Sequence, residues 1–414
     1  MHRAVIVSMA RTPIGCLGSS LVTIRAPQLG AIAIKGALSR VSANSPFTVG
    51  EVIMGNVVSA NVGQAPARQA SKGAASAGAK ELSDSVVCTT VNKVCSSGLK
   101  AISIASQSIA LGHHDVCVAG GMESMSNAPY YLPAQTARFN GLRFGHGQVL
   151  DSLTRDGLWD PYNECNMGMC AEKTAKDMTI SRAEQDAYAI ESYKRTQAAN
   201  KSGIFSSEIV SVKLSAEKGS KAAKSGMKEV EISVDEEFSR FDEAKMSSLK
   251  PAFITAELGG TVTVANSSKI NDGAAALVIM SEAKAKALGL TPLARIMSSA
   301  DFEQAPMDFP TAPAGAITLA LARAGVKPSD VDFHEINEAF ALVALANAKT
   351  LSLDLSRVNV HGGAVALGHP IGCSGARIVM SLISVLKAKN GKIGVASICN
   401  GGGGATAMVI ERLS

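Results

Sequence analysis

A chain of 414 residues, at roughly 150 residues per domain, has room for two or three domains and at least one large core. Hydrophobic residues make up 46% and charged residues 18%, well below the roughly 25% charged of ordinary soluble domains, which excludes disorder and requires that much of the chain be covered. The net charge is only +5, aromatics are 4% and the basic residues are scattered, so a nucleic-acid partner is excluded as well.

The chain enters an apolar run, Ala4–Ser8, directly after Met1-His2-Arg3. That leaves no room for a transit or signal peptide, so the expectation is that none exists or that it has been removed. Strands are predicted at Ala4–Ser8, Val52–Met54, Ser85–Val91, Asp115–Ala119, Leu277–Met280, Ala294–Met297, Val331–Glu335, Ile393–Ile398 and Ala405–Ile410. Helices are predicted at Ala26–Ser39, Gly98–Leu111, Arg182–Lys201, Pro313–Ala324, Glu338–Thr350 and Ser374–Lys387. Short β-branched runs alternating with small-residue helices predict an α/β protein with a buried, parallel sheet. Between about 123 and 250 the texture becomes charged, which predicts an inserted loop domain. Its Lys213, Lys218, Lys221, Lys224 and Lys228 read either as a solvated loop face or as a rim attracting a phosphate-bearing small molecule.

Two runs lack Asp, Glu, Lys and Arg: 19 residues from Val358 to Ala376 and 18 from Ile393 to Ile410. Their length is that of a membrane span, but glycines, Pro370, two histidines and Asn400 interrupt them, so no membrane segment is expected. The eight cysteines, at 16, 88, 95, 117, 165, 170, 373 and 399, have neither metal-ligand nor disulfide-framework spacing and read as reduced thiols.

An internal repeat is visible. Cys95-Ser96-Ser97-Gly98 opens a nearly all-apolar helix and leads to a strand ending in Gly120-Gly121; Cys373-Ser374-Gly375 opens a comparable helix and leads to a strand ending in Cys399 and Gly401–Gly404. Two such halves packed together place helices between sheets.

Four places offer chemistry. Cys95 stands just before a helix, where the dipole and free N–H groups are expected to lower its pKa and favour the thiolate, although a buried Cys is usually a small hydrophobe. His369, between Gly368 and Pro370 on a rigid turn, is either a fixed base or a structural residue. Cys399 follows a strand and precedes Asn400 and four glycines that leave the backbone unobstructed; with no following Lys-Ser/Thr and helix, these glycines do not form a phosphate loop. Asn337, after the strand Val331–Glu335, reads either as a helix N-cap or as an amide that fixes a water or an oxyanion.

These elements, with Ser8-Met9-Ala10-Arg11-Thr12-Pro13-Ile14-Gly15, Asn92-Lys93-Val94-Cys95-Ser96-Ser97-Gly98, Gly120-Gly121-Met122-Glu123-Ser124-Met125-Ser126, NEAFA at 337–341, GHPIGCSGAR at 368–377 and CNGGGGA at 399–405, resemble the thiolase family through essentially the whole chain. The resemblance implies a five-layered αβαβα fold of two duplicated halves, residues 1–122 (completed by about 251–285) and 286–414, with 123–250 as a loop domain that binds coenzyme A. It implies Cys95 as the nucleophile that carries the acyl group, His369 as its base and Cys399 as the acid/base for the α-carbon. Asn337 would hold a water that forms one oxyanion hole with His369; the N–H groups of Cys95 and Gly401 would form the other. That set suits Claisen chemistry, which needs an acyl group parked on a good leaving group, a base for a weakly acidic carbon and two places for negative oxygen.

Met307 followed by Asp308-Phe309-Pro310-Thr311-Ala312-Pro313 resembles the mitochondrial-type subgroup that acts on acetoacetyl-CoA. The implied reaction is reversible condensation of two acetyl-CoA, with Phe309 and Pro310 leaving room for a 2-methyl branch. Arg240, Phe241, Asp242 and Lys245 would meet the nucleotide end of coenzyme A, Ser268 its pantetheine arm, and Met167 and Phe340 the acyl end. Coenzyme A is then a co-substrate, no cofactor serves the chemistry, and a potassium site falls on Tyr188, Val264, Ala265, Ser267 and Val365. A homotetramer, a dimer of dimers, in the mitochondrial matrix is implied, with the cytoplasm as the alternative.

The sequence departs from the family at Asn166, where a His is usual before Met-Gly, and at Val264 and Ser267, where alanines are usual. Rival readings are a longer-chain degradative thiolase, a β-ketoacyl synthase, which typically has a second His where Cys399 stands, a non-catalytic acyl-CoA or lipid carrier, expected to have lost one of Cys95, His369 and Cys399, and a cysteine hydrolase, which would have no task for a second thiol.

Overall fold

The computed structural model describes residues 2–139, 141–142, 144–215 and 229–414. The N-terminal part runs β1 (Ala4–Arg11), α1 (Ala26–Ser39), β2 (Glu51–Gly55), α2 (Pro66–Ser76), β3 (Val87–Val91), α3 (Ser97–Ala110) and β4 (Val116–Ser124). An excursion carries α4 (Met167–Asp177) and α5 (Arg182–Lys201) before β5 (Asn271–Ser281) returns to the same part. The C-terminal part is β6 (Ala294–Glu303), α6 (Ala312–Ala324), β7 (Phe333–Ile336), α7 (Ala341–Leu351), α8 (Ile371–Ala388), β8 (Ile393–Asn400) and β9 (Gly404–Arg412). Lys213 is exposed; Lys218, Lys221, Lys224 and Lys228 lie outside the described residues.

The strands follow the order β7-β8-β9-β6-β1-β5-β4-β2-β3. Two half-sheets meet where β1 and β6 share only the pairs Val5 with Arg295 and Ile6 with Ala294. Between them lie α3 and α8: Leu99, Ile102 and Ile109 of α3 and Ile378, Val379 and Leu382 of α8 pack among Ala119 and Leu277 of one half and Ala396 and Met408 of the other. Helices α1 and α2 cover the outer face of the first half, and α6 and α7 that of the second. The expected αβαβα layering is thus present.

The expectation of a parallel sheet is corrected. Only β2 with β3, β2 with β4 and β7 with β8 are parallel, while the centre of each half is antiparallel. Every residue of β4 and β5 is buried, because helices cover both faces of those strands. An uninterrupted apolar run reports that double coverage and not strand direction.

The repeat has a physical meaning at the α3–α8 crossing. A Cβ on Gly98 would sit 2.8 Å from the Ala376 nitrogen, and one on Gly375 would sit 2.3 Å from the Leu99 nitrogen. The two helices touch backbone to backbone at their motif glycines, which brings the loops ahead of both helices, with Cys95 and His369, to the same end of the layer. Helix α8 is long and apolar enough to cross a membrane by composition, but here it is the buried central helix of the molecule.

Two local expectations fail. Asn337 is not an N-cap: α7 begins at Ala341, with Phe340 in the capping position. Helix α4 went unread because its buried face mixes small or soft residues, Gly168, Cys170, Ala171 and Ala175, with the polar Glu172 and Thr174, in the charged texture of the excursion.

Candidate active site

Cys95 lies two residues ahead of α3 on a strained turn. Val94 before it has φ +47°, a left-handed conformation that costs a β-branched residue on the order of 1–3 kcal/mol. Neighbouring groups hold the turn: Val94 N donates to Asn92 Oδ1 at 3.0 Å, Lys93 N donates to Ser97 Oγ at 2.8 Å, and Ser97 Oγ donates to Val94 O at 2.5 Å. The thiol faces an apolar cluster of Val57, Val58, Met125, Leu153 and Ile371.

Burial there pushes the Cys95 thiol up to about 12, against the downward pull of the backbone N–H groups of Gly401 and of Cys95 itself. The expected resting thiolate is therefore corrected: desolvation outweighs the donors at the helix entrance. The same two N–H groups are the pair implied for one oxyanion hole, and both bear on the sulfur.

Cys399 is fully buried near the end of β8. Burial, then the neighbouring Cys95, hold its thiol well above the usual range. Ser96 stitches the two loops together: its single hydroxyl proton lies between Asn400 Oδ1 at 2.8 Å and Ile398 O at 3.1 Å.

His369 follows Gly368, whose φ of +103° and lack of a Cβ allow close contact with Asn271. Its backbone N–H donates to Asn271 Oδ1 at 3.0 Å and to Lys269 O at 3.2 Å. Nδ1 sits 2.6 Å from Ser374 Oγ, and Nε2 is buried with no partner. Burial, then the Arg377 charge, lower the imidazole pKa to about 3. The ring is neutral at rest.

Two residues not singled out from the sequence complete this centre. Arg377, buried in α8, donates to Asn337 Oδ1 at 3.3 Å. That contact fixes the amide so that Nδ2, buried and unpartnered, is the free donor. Glu123 accepts from Val57 N at 3.0 Å, Gly372 N at 2.9 Å and Asn56 Nδ2 at 2.8 Å, clamping the GHPIG turn to the N-terminal half. The signal for Glu123 was its place in the GGMES motif; nothing in the sequence pairs Arg377 with Asn337.

A cavity of about 410 Å³ opens onto His369, walled by Met167, Ser268, Phe340 and Ile371, with Arg240 also lining it. Phe253, unread in the sequence, closes a side by packing edge-on to Phe340 at 6.5 Å between centroids. Asn166 lines the cavity as well. Other expected contacts are not brought to it. Phe241 stacks on Tyr193 at 4.5 Å, Asp242 and Lys245 pair with each other at 2.8 Å on the surface, and Phe309 and Pro310 are buried outside the cavity wall. Phe309 belongs to a core cluster with Cys170 and Ala171 of α4.

At the positions implied for potassium, the Tyr188 hydroxyl donates to Glu338 Oε1 at 2.9 Å and accepts from Asn359 Nδ2 at 3.0 Å. The carbonyls of Ser267 and Val365 accept from Lys269 Nζ at 2.6 and 3.4 Å.

A neutral imidazole with a free Nε2 on an apolar cavity, two thiols that sense each other and an unpaired amide donor are the kinds of group that acyl transfer through sulfur needs. The family model of the thiolase N-terminal domain matches residues 4–283 and that of the thiolase C-terminal domain residues 290–412. The chain belongs to the thiolase family. It is 53% identical to acetyl-CoA acetyltransferase 1 of Arabidopsis thaliana, over 99% of this chain and 94% of that protein. It is 50% identical to the mitochondrial acetyl-CoA acetyltransferase of Xenopus tropicalis, over 100% of this chain and 93% of that one. The crystal structure of the Acat5 thiolase from Ascaris suum in complex with coenzyme A superposes with a TM-score of 0.89 at 43% identity, covering 99% of this chain and all of that one.

Proposed function

We propose that the protein is an acetyl-CoA acetyltransferase, joining two acetyl-CoA into acetoacetyl-CoA and coenzyme A and, in reverse, cleaving acetoacetyl-CoA with coenzyme A. The observation that carries this reading is the set of groups present together in the folded chain: His369 with a free Nε2 on a neutral ring, Cys95, and Cys399, whose thiol is raised by burial and then by Cys95. A hydrolase or a carrier has no use for the second thiol.

The proton inventory closes. His369 Nε2 takes the Cys95 proton as the sulfur attacks the first acetyl-CoA carbonyl. The departing coenzyme A thiolate takes the proton of Cys399, leaving acetyl-Cys95, a Cys399 thiolate and an imidazolium. Acylation has by then removed the Cys95 charge that would oppose a thiolate at Cys399. Cys399 takes the α-proton of the second acetyl-CoA, and the enolate oxygen is met by His369 Nε2–H and a water on Asn337 Nδ2. The enolate carbon attacks the acetyl-Cys95 carbonyl, whose oxyanion is met by the N–H groups of Cys95 and Gly401. Carbon–sulfur cleavage releases acetoacetyl-CoA, and the Cys95 thiolate recovers its proton from His369.

Residues 123–250 would bind coenzyme A, with Arg240 at the entrance, Ser268 along the pantetheine arm, Met167 and Phe340 at the acyl end, and Phe309 and Pro310 acting on pocket width from behind α4. The assembly would be a homotetramer, favoured by the exposed Phe139, Leu142 and Phe144. Mass measurement after mixing with acetyl-CoA tests the assignment: an acetyl increment on the wild type that is lost in Cys95→Ser supports it, and an increment kept by Cys95→Ser refutes it.

A further inference from the structure

The resemblance places a potassium ion among the oxygens of Tyr188, Val264, Ala265, Ser267 and Val365, but this chain already has a cation there. Lys269 Nζ lies 2.6 Å from Ser267 O and 3.4 Å from Val365 O and 5.7 Å from the centroid of the Tyr193 ring, whose face attracts a positive charge. Glu237 and Glu338 add favourable charge around the ammonium. A potassium ion on the same carbonyls would meet this ammonium at close range and be repelled. The residues present therefore do not fit the ion.

We propose that Lys269 is a built-in monovalent cation of this protein: its ammonium takes the place of potassium and clamps the pocket wall to the segment that carries His369. The connectivity shows what is clamped. Residues 266–268 are stitched to the NEAFA segment by Ser268 N donating to Ala339 O at 3.0 Å and Ala341 N donating to Asn266 O at 2.8 Å. The main chain of Lys269 reaches the base, accepting from His369 N at 3.2 Å. Its side chain adds Val365, in the helical turn Ala364–Leu367 that runs into Gly368 and His369. One residue thus holds the loop bearing Ser268 to the histidine turn from both sides. Lys269 is a positioning residue, not a catalytic one.

The test compares potassium with sodium at constant ionic strength in the wild type and in Lys269→Thr. Two readouts are used: the thiolysis rate, which rests on the proposed reaction, and the melting temperature, which does not. Wild-type protein should give rates within about twofold and the same melting temperature in both salts. Lys269→Thr should show a several-fold higher KM or lower kcat in sodium, restored by potassium, with melting raised by potassium over sodium. A wild type activated more than about twofold by potassium, or melting higher in it than in sodium, would overturn the proposal. So would a folded Lys269→Thr that behaves as wild type in sodium, or one that potassium does not restore. Should that variant fail to fold, the wild-type comparison alone decides.

Discussion

Ser374 Oγ lies 2.6 Å from His369 Nδ1 and donates its own proton to Pro370 O at 3.0 Å. With that proton given to Pro370, the hydroxyl accepts from the ring; this assigns the hydrogen to Nδ1 and leaves Nε2 its lone pair, as the base proposed for Cys95 requires. Ser374→Ala removes the tautomer lock without removing the base. The expected result is a 10–100-fold fall in the rate of acetyl-Cys95 formation, about what losing an orienting partner of a functional histidine costs. Alkylation of Cys95 by iodoacetamide, followed across pH, should slow in parallel. A purely structural serine would lower melting and leave the alkylation profile unchanged.

Cys399→Ala separates the two halves of the reaction. The variant keeps Cys95, His369 and the Gly401 N–H, so acetylation of Cys95 should still occur in a single turnover, slowed because the coenzyme A thiolate leaves without the Cys399 proton. Condensation should drop by about 10²–10⁴-fold, the usual range for losing a general acid/base. Exchange of deuterium into the methyl group of acetyl-CoA should fall with it. Undiminished exchange would move the α-proton step to another residue.

How far the site could be read from the sequence follows from how each residue does its work. His369 and Cys399 are legible because glycines stand beside them, and Cys95 because a small-residue helix opens just after it, and that grammar is local. Asn337 was half legible: an N-cap amide and an amide offered to a ligand look alike until the helix is seen to start at Ala341. Val94 was invisible, since nothing about valine announces a φ of +47°. The contacts of Arg377 with Asn337 and of Lys269 with Val365 span 40 and 96 positions, and only the packing of the layers creates them. Layering was readable from unbroken apolar runs, but strand direction was not, because burial on both faces looks the same either way.

The stability of the fold should fall as pH drops below neutral. Burial lowers the pKa of His334 to about 4, of His361 to about 4 and of His369 to about 3, from 6.5. Between the folded and unfolded values the unfolded chain binds more protons, so stability is complete above 6.5 and is lost as pH falls towards 4. Glu123, raised by burial to about 7, and Glu335, raised by burial to about 8, hold extra protons in the folded state and offset part of that slope above 4.5. His334 is a clean probe because it has no charged neighbour among the causes of its shift. His334→Leu should leave stability at pH 7 within about 1 kcal/mol and reduce the slope of unfolding free energy between pH 6.5 and 4.5 by about one proton, or about 1.4 kcal/mol per pH unit. Denaturant titrations at several pH values measure both, and an unchanged slope would show that His334 is not buried as a neutral ring.

The surface between Tyr130 and Val149 predicts the assembly. Tyr130, Leu132, Phe139, Leu142, Phe144 and Val149 are all exposed within one stretch, a density of large apolar side chains that a lone subunit does not maintain in water. A second uncovered element lies elsewhere: β3 is an edge strand with Val87 exposed, open to strand pairing with another copy. Two separate sticky surfaces are what a dimer of dimers requires, one for each kind of contact. Phe139→Asp with Phe144→Asp places charge on the first surface only. Light scattering on the eluting protein should show a tetrameric wild type and a variant of half that mass, with acetyl-Cys95 still forming because neither residue lines the cavity. A variant that keeps the wild-type mass would remove this stretch from the interface.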